Sequence, residues 1–256
     1  MPEATPAWVW VEQIAGPGER LVLPVEPSHY VARVCRARPG EIVTLTDGRG
    51  GVARARVAAT EPRVQVEIES VDRAAALRKA TLLCGAAEGQ RFDWVVEKLA
   101  ELGVDKIRPV DCERSRWEPK ALRWERWDRL ARAALQQSRG RHLLRVEPPA
   151  RLEEVVAAEG DAEHRFVADP DGEMAGRVGA PAAGTSVGVV GPAAGLSDAE
   201  RTFLAGRGFT AIALAGSRLR TETAALAWAA WWGAGAKAQG SEKPDGGTLD
   251  GREGQP

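Results

Sequence analysis

The hydrophobic and polar positions along the chain divide it into two parts. In the first seventy residues, short β-rich segments follow one another closely, and Asp47–Gly51 forms a glycine-rich turn between two of them. One helical segment interrupts this run over residues 29–36, with Ser28 as its candidate N-cap. Short strands at this spacing predict a small barrel. The predicted strands are Trp8–Val11, Arg20–Leu23, Ile42–Thr46, Val52–Val57 and Val64–Ile68.

After residue 80 the pattern changes to strands that alternate with helices. Ser197 and Glu200 form a capping box at the start of one helix, since each side chain can bond the other residue's backbone N–H. The alternation predicts an α/β fold in which helices flank a parallel sheet. One helix has apolar residues at helical spacing before Gly103, which can end it, at Phe92, Val95, Val96, Leu99 and Leu102. The other elements predicted are strands Thr81–Cys84, Val104–Val110, His164–Ala168, Val187–Val190 and Thr210–Leu214, and helices Leu122–Gln137, Leu152–Glu159 and Glu222–Trp232.

The composition is that of a globular protein with one large or two smaller domains. The chain has 256 residues, of which 44% are hydrophobic and 28% are charged. No run of about eighteen apolar residues occurs, and no basic segment precedes an apolar one at the N-terminus, so we expect neither a membrane span nor a signal peptide. The three cysteines are far apart and form no Cys-x-x-Cys pair. We therefore expect neither a disulfide framework nor a zinc site, and a reducing cytoplasm is the expected compartment.

The net charge of -1 hides a basic segment in the middle of the chain. Residues 114–151 contain eleven Arg or Lys and four Asp or Glu, and they also contain Trp117, Trp124 and Trp127. Such a segment could neutralise the phosphates of a nucleic acid. It could equally be the solvated face of an arginine-rich helix.

Two predicted strand ends are candidates for a ligand site, because ligands in open α/β sheets bind beyond the carboxyl ends of strands. The strand Val187–Val190 leads into a turn of small residues at 191–195. The strand ending at Leu214 leads into a loop that opens a helix at Thr221, where unpaired backbone N–H groups suit a polar ligand. The alternative is that Thr221 caps this helix and Glu222 complements its dipole.

Several common catalytic motifs are missing from the sequence. The segment Cys84–Gly89 follows a predicted strand but lacks the Gly-x-Gly-x-x-Gly pattern, and there is neither a phosphate-binding P-loop nor a nucleophile elbow. The histidines His29, His142 and His164 do not have the spacing of metal ligands. Classical hydrolase and dehydrogenase interpretations are therefore disfavoured.

The segment Leu219–Leu226, which reads Leu-Arg-Thr-Glu-Thr-Ala-Ala-Leu, resembles the C-terminal signature of the ribosomal small-subunit methyltransferase E family. These proteins are the 16S rRNA (uracil-1498-N3)-methyltransferases of the SPOUT class. Further matches occur in the family's order, and together they cover roughly residues 7–233: His29, Val34–Gly51, Phe92–Val104, Glu113-Arg114-Ser115, Gln137-Ser138 and Gly191-Pro192.

The resemblance implies two domains and a substrate. Residues 1–75 would form a PUA-like RNA-binding barrel, and residues 76–234 a SPOUT methyltransferase domain with a deep trefoil knot. Residues 235–256, which are rich in Gly, Ser, Asp and Glu, are predicted to be a disordered tail. The protein would be a homodimer that binds S-adenosyl-L-methionine in its knot loops and methylates N3 of a uridine in 16S rRNA, in the small ribosomal subunit or its precursor.

The resemblance also assigns residues to roles. Arg220 and Glu222 are the candidate catalytic residues, Glu222 as a base for the N3 proton or an orienting group and Arg220 as the cation that stabilises the deprotonated ring; a structural role is the alternative for each. The predicted cofactor-binding residues are Val190, Gly191, Pro192, Gly195, Leu214, Ala215, Leu219, Thr221, Thr223 and Ala224, and the predicted RNA-binding residues are Arg114, Arg116, Gln137, Arg139 and Arg141. The face formed by Trp228, Trp231 and Trp232 could lie in the core or in a dimer interface, and the core is the favoured interpretation.

Several departures from the family pattern keep other functions open. Glu88 stands where a Lys is usual, and the Arg that usually precedes the first strand is missing before Trp8. Ala193-Ala194 replaces Glu-Gly in the cofactor turn, which removes a carboxylate and a flexible backbone position. Arg139-Gly140 reverses the family's Gly-Arg. The alternatives are a catalytically lapsed RNA-binding protein with the same fold, and a SPOUT enzyme that modifies another RNA nucleotide.

Overall fold

The computed structural model describes residues 6–87 and 91–235, which form two β-sheets and their helices. Except for Gly235, the predicted tail lies outside the described residues. None of the helices in these two ranges is long and apolar enough to cross a membrane.

The N-terminal sheet has five strands, which are β1 Ala7–Trp10, β2 Arg20–Val22, β3 Ile42–Thr46, β4 Gly51–Ala59 and β5 Gln65–Arg73. Their order in the sheet is β1-β3-β4-β5-β2. β1 runs parallel to β3, and the other pairs are antiparallel. Alternation along β4 turns Ala53, Ala55 and Val57 into the core and Arg54 and Arg56 outward, as expected of a sheet that faces water on one side. All five predicted strands of this sheet are confirmed.

The helix predicted to begin after Ser28 begins earlier. It spans Val25–His29 (α1) and continues as one π-helical turn over Tyr30–Val34. The prediction of Ser28 as an N-cap is wrong, because this buried hydroxyl lies inside α1 and bonds neighbouring segments instead. Its Oγ donates to the Leu23 carbonyl at 2.9 Å and accepts from the Val64 backbone N–H at 3.2 Å.

The C-terminal sheet confirms the predicted α/β fold. Its strands are β6 Arg78–Cys84, β7 Lys106–Asp111, β8 Arg145–Val146, β9 Ala150–Arg151, β10 His164–Met174, β11 Gly184–Val190 and β12 Thr210–Ala213. Their order along the main path is β12-β10-β11-β6-β7-β8, β9 also pairs with β7, and every pair is parallel. The helices are α2 Arg91–Glu101, α3 Trp124–Ser138, α4 Leu152–Ala158, α5 Ala175–Val178, α6 Asp198–Gly206 and α7 Thr221–Ala234, and Pro119–Ala121 is a 3-10 turn.

The tryptophans of α7 pack into the core, as the favoured interpretation predicts. Trp228 is fully buried and lies against the sheet at Gly188, where a Cβ would be 2.2 Å from the indole ring. Trp232 is also buried and faces the Arg78 guanidinium at 4.1 Å. Trp231 is partly buried and donates its Nε1–H to the Ala175 carbonyl at 2.8 Å. The bulk of these rings explains why a glycine occupies the facing position in β11.

The two sheets are joined through the end of α3 and the loop after it. The Trp10 backbone N–H donates to Gln136 Oε1 at 2.9 Å, and the Trp10 ring lies 3.8 Å from the Arg132 guanidinium. The Asp47–Gly51 turn packs on the same loop, where the Leu143 N–H donates to the Gly48 carbonyl at 2.8 Å. These contacts fix the N-terminal sheet against the amino edge of the parallel sheet.

Candidate active site

A cavity of about 530 Å³ lies beside β10, β11 and β12, at the carboxyl edge of the parallel sheet. Three chain segments form most of its walls: the turn after β11, the loop after β12 and a turn within β10. The lining residues are Arg114, Ala168, Asp169, Pro170, Asp171, Val190, Gly191, Pro192, Ala193, Ala194, Gly195, Leu196, Arg201, Ile212, Leu214, Ala215, Ser217, Arg218, Leu219, Arg220, Thr221 and Ala224.

The first wall is the turn after β11. The Gly195 N–H donates to the Pro192 carbonyl at 2.8 Å, and Gly195 adopts a φ of 76°, in the left-handed region that favours glycine. The two alanines at 193 and 194 are therefore compatible with the turn, because the left-handed conformation falls on the residue after them. This wall packs tightly on the loop after β6, since a Cβ on Gly85 would lie 2.4 Å from the Pro192 nitrogen.

The second wall is the loop between β12 and α7. Thr221 is the first residue of α7, and its Oγ1 donates to the Gly191 carbonyl at 3.0 Å. Thr221 therefore joins the two predicted ligand loops, and the alternative that it caps its own helix is wrong. Arg218 extends the same connection, with Nη2 at 3.4 Å from the Ala193 carbonyl.

The third wall was missed from the sequence, where β10 was predicted to end at Ala168. β10 continues to Met174, but its pairing with β12 is interrupted between Ala168 and Glu173. The interrupting segment, Asp-Pro-Asp-Gly at 169–172, lies against the cavity with its first three residues. These residue types are typical of turns, and that signal at a strand end could have identified the wall.

Most of the predicted cofactor residues lie together around this cavity. All of them line it except Thr223, which is exposed on the first turn of α7. Arg220 lines the cavity as well, whereas Glu222 does not. Glu222 is instead nearly buried, and its Oε1 lies 2.5 Å from Arg91 Nη1 at the start of α2.

The buried thiol of Cys84 lies near this ion pair. Burial, with a smaller contribution from the Glu222 charge, raises the pKa of Cys84 to about 12. The thiol is therefore neutral at physiological pH and is not suited to act as a nucleophile.

The predicted RNA-binding residues fall into two groups. Arg114 follows the carboxyl end of β7 and lines the cavity, with the exposed Arg116 beside it. Gln137, Arg139 and Arg141 lie at the end of α3 and in the loop before β8, at the amino edge of the sheet. Gln137 and Arg139 are exposed, and Arg141 pairs with Asp72 at 2.6 Å. Within one chain, the two groups therefore lie at opposite edges of the sheet.

Much of the basic segment has a structural role. Trp117 and Trp127 are buried and pack edge-to-face on Phe92, so they are not available to stack on nucleic-acid bases. Asp93 accepts hydrogen bonds from Trp127 Nε1 at 2.8 Å, from Arg126 at 2.6 Å and from Arg123 at 3.1 Å. Trp124 alone of these three tryptophans is exposed, at 40%.

The fold and the site define an RNA methyltransferase. The family model described as an RNA methyltransferase domain matches residues 75–233, and the chain belongs to this family. The model of an RNA methyltransferase PUA domain matches residues 24–69. Among its relatives are proteins named ribosomal RNA small subunit methyltransferase E, which confirms the resemblance found in the sequence. The one from Synechocystis sp. is 28% identical over 204 residues, which is 77% of this chain and 67% of the relative.

Two solved structures are similar over nearly the whole chain. The ribosomal RNA small subunit methyltransferase E of Neisseria gonorrhoeae, bound to S-adenosyl methionine, has a TM-score of 0.78 and 29% identity and covers 88% of this chain and 96% of its own. A Legionella pneumophila methyltransferase solved with bound SAM has a TM-score of 0.76 and 26% identity, with coverage of 90% and 98%.

Proposed function

We propose that this protein transfers a methyl group from S-adenosylmethionine to N3 of a uridine in the 16S rRNA of the small ribosomal subunit. The observation that carries the proposal is the cavity at the carboxyl edge, closed by the bond from Thr221 to Gly191, in a chain that belongs to an RNA methyltransferase family. The names of the relatives support rRNA as the substrate.

The cavity suits S-adenosylmethionine in size and lining. Its volume of about 530 Å³ is within the range of about 300 to 1,000 Å³ that is usual for small-ligand sites. Val190, Leu214 and Leu219 offer apolar surface for an adenine ring, and the missing side chain of Gly191 lets a ligand approach the backbone. When bound, the cofactor supplies an electrophilic methyl group on a sulfonium.

The protein's own groups would prepare the acceptor. N3 of uracil carries a proton in the neutral base, and this proton must leave before the nitrogen can attack. Arg220, in the cavity wall, would stabilise the negative charge that develops on the ring. Holding the two reactants together in one cavity would supply much of the remaining acceleration.

The domain arrangement is proposed in the same way. Residues 1–75 would be a PUA-like barrel that widens the RNA contact, and residues 76–234 a trefoil-knotted SPOUT domain. The placement of the N-terminal sheet beside Gln137, Arg139 and Arg141 supports an RNA surface there. A homodimer would explain why the predicted RNA residues lie at two edges of the sheet, since a second copy could bring one edge beside the other copy's cavity. The cytoplasm is the proposed compartment.

The test uses small subunits from a strain that lacks N3-methyluridine in 16S rRNA. The purified protein, incubated with labelled S-adenosylmethionine, should produce N3-methyluridine, which nucleoside mass spectrometry detects. Calorimetry that finds no binding at millimolar cofactor would reject the enzyme and leave the lapsed RNA-binding protein. A different methylated nucleoside would reject the proposed target and leave a SPOUT enzyme of other specificity.

A further inference from the structure

The side chains around the cavity leave few candidates for accepting a proton. In the described part of the chain, the lining contains two carboxylates, Asp169 and Asp171, and four arginines, but no His, Lys, Cys, Tyr or Glu. Arginine remains protonated in proteins and cannot accept a proton. If a side chain of this chain accepts the N3 proton within the cavity, it is one of the two aspartates.

The Asp169 carboxylate already has partners within the protein. Its side chain is nearly buried, and Oδ1 accepts the backbone N–H of Asp171 at 3.0 Å. Oδ2 lies 3.4 Å from Arg201 Nη1. These two contacts use both oxygens, so that Asp169 shapes the turn that presents Asp171.

Asp171 has a fixed backbone and a free carboxylate. Besides the bond to Asp169, close packing at Gly172 fixes the backbone of this turn. A Cβ on Gly172 would lie only 2.5 Å from the carbonyl carbon of Ala211. The Asp171 side chain itself is exposed at the cavity, and within residues 6–87 and 91–235 no group hydrogen-bonds or ion-pairs with its carboxylate. Glu222, by contrast, is paired with Arg91 outside the lining.

We propose that Asp171 is the general base that removes the N3 proton of the target uracil, an inference that rests on the proposed function. The N3–H bond breaks and its proton passes to the Asp171 carboxylate. The N3 lone pair forms a bond to the sulfonium methyl carbon as the bond from that carbon to sulfur breaks, and S-adenosylhomocysteine leaves as a neutral thioether. Because a carboxylate is a weak base for this nitrogen, the transfer depends on the charge of Arg220 in the same cavity.

The test compares the native protein with Asp171→Asn on two RNAs, one with uridine and one with 5-fluorouridine at the target position. Loss of a general base lowers the rate by about 100-fold or more, so we expect that loss in single-turnover rate on uridine RNA. Fluorine makes N3 more acidic and so lowers the need for a base. On the fluorinated RNA, the single-turnover rate of the same variant should therefore fall by less than about 10-fold. Cofactor affinity, measured by calorimetry, should remain within about twofold of native, because Asp171 acts on the RNA base.

Asp161→Asn is the matched control, since Asp161 is exposed in a turn outside the cavity lining. It should change neither rate nor affinity. Equal losses on the two RNAs, native turnover by Asp171→Asn, or a loss confined to cofactor affinity would overturn the assignment while leaving the proposed function intact. A native protein that forms no N3-methyluridine would reject the proposed function, and the assignment with it.

Discussion

Arg91 Nη1 lies 2.5 Å from Glu222 Oε1, which joins the first turn of α2 to the first turn of α7. The next residue toward the N-terminus, Thr221, bonds the Gly191 carbonyl of the cofactor turn. The ion pair and this hydrogen bond therefore hold α7 at the cavity from two sides. Glu222 therefore pairs with Arg91 outside the cavity lining, which supports the structural role that stood as the alternative to a catalytic base or an orienting group.

Arg91→Ala should destabilise the protein and loosen the site. The Arg91 side chain is 42% exposed, so solvent screens the pair, but Glu222 is only 12% exposed and would lose its partner. We expect the free energy of unfolding, measured in urea, to fall by about 1 to 3 kcal/mol. Cofactor binding, measured by calorimetry, should be weaker. Arg91→Lys should recover part of both. If the exposed Arg177→Ala variant had the same effect, the pair would have no special role.

Ala194→Gly should not improve cofactor binding, although the family has glycine there. The left-handed residue of the turn is Gly195, with a φ of 76°, so a glycine at position 194 relieves no strain. Gly195→Ala should instead cost about 1 to 2 kcal/mol in the turn and weaken cofactor binding by roughly tenfold in calorimetry. A tenfold gain in affinity for Ala194→Gly would contradict this account.

Arg139→Gly should stabilise the fold while weakening RNA binding. Arg139 ends α3 with a φ of 58°, a conformation in which glycine is better by about 1 kcal/mol. The substitution also removes an exposed cation from the predicted RNA surface, so the salt dependence of RNA binding should fall by about one unit of slope. Urea unfolding and filter binding at several salt concentrations measure the two effects. Gly140→Ala is the contrasting variant. Its added Cβ would lie 2.7 Å from Leu135 Cδ1, so this substitution should destabilise the protein.

The Asp47 carboxylate should contribute stability that acid removes. Burial alone would raise the pKa of Asp47, but N–H donors of Arg49 and Gly51 and the Arg73 guanidinium outweigh it and hold this pKa below its usual value. A depressed pKa in the folded state gives stability above the unfolded pKa of about 3.9, which is lost as the pH falls through the folded pKa. Asp47→Asn should therefore be less stable than native at pH 7 by about 1 to 3 kcal/mol, and the difference should shrink below about pH 4. Urea unfolding at neutral and acidic pH checks this, and a constant difference would contradict it.

Arg220→Ala should abolish methyl transfer without unfolding the protein. Arg220 is the N-cap residue of α7, but its side chain is exposed at the cavity and makes no capping hydrogen bond. We expect a loss of about 100-fold or more in single-turnover rate with a native circular dichroism spectrum. Native turnover by this variant would remove Arg220 from the reaction.

Local sequence patterns were sufficient to predict most elements and two walls of the cavity. The Ser197–Glu200 capping box forms as predicted, because both partners lie within one helical turn and need no distant contact. The loops after β11 and β12 could likewise be located, since parallel strands place their carboxyl ends at one edge. The walls around Gly191 and Leu214 follow from this rule alone.

The sequence by itself determined most of the strands and helices, though not β8, β9 or α5, because periodicity, turn residues and caps act over a few residues. Through resemblance, it also determined the family. The tertiary structure decided which polar groups meet. Glu222 pairs with Arg91, which is 131 positions away, and Ser28 bonds Val64 across 36 positions. The turn at Asp169–Gly172 interrupts the pairing of β10 with β12, and that pairing resumes beyond the turn. Such partners depend on how distant elements pack, and no pattern within one element specifies them.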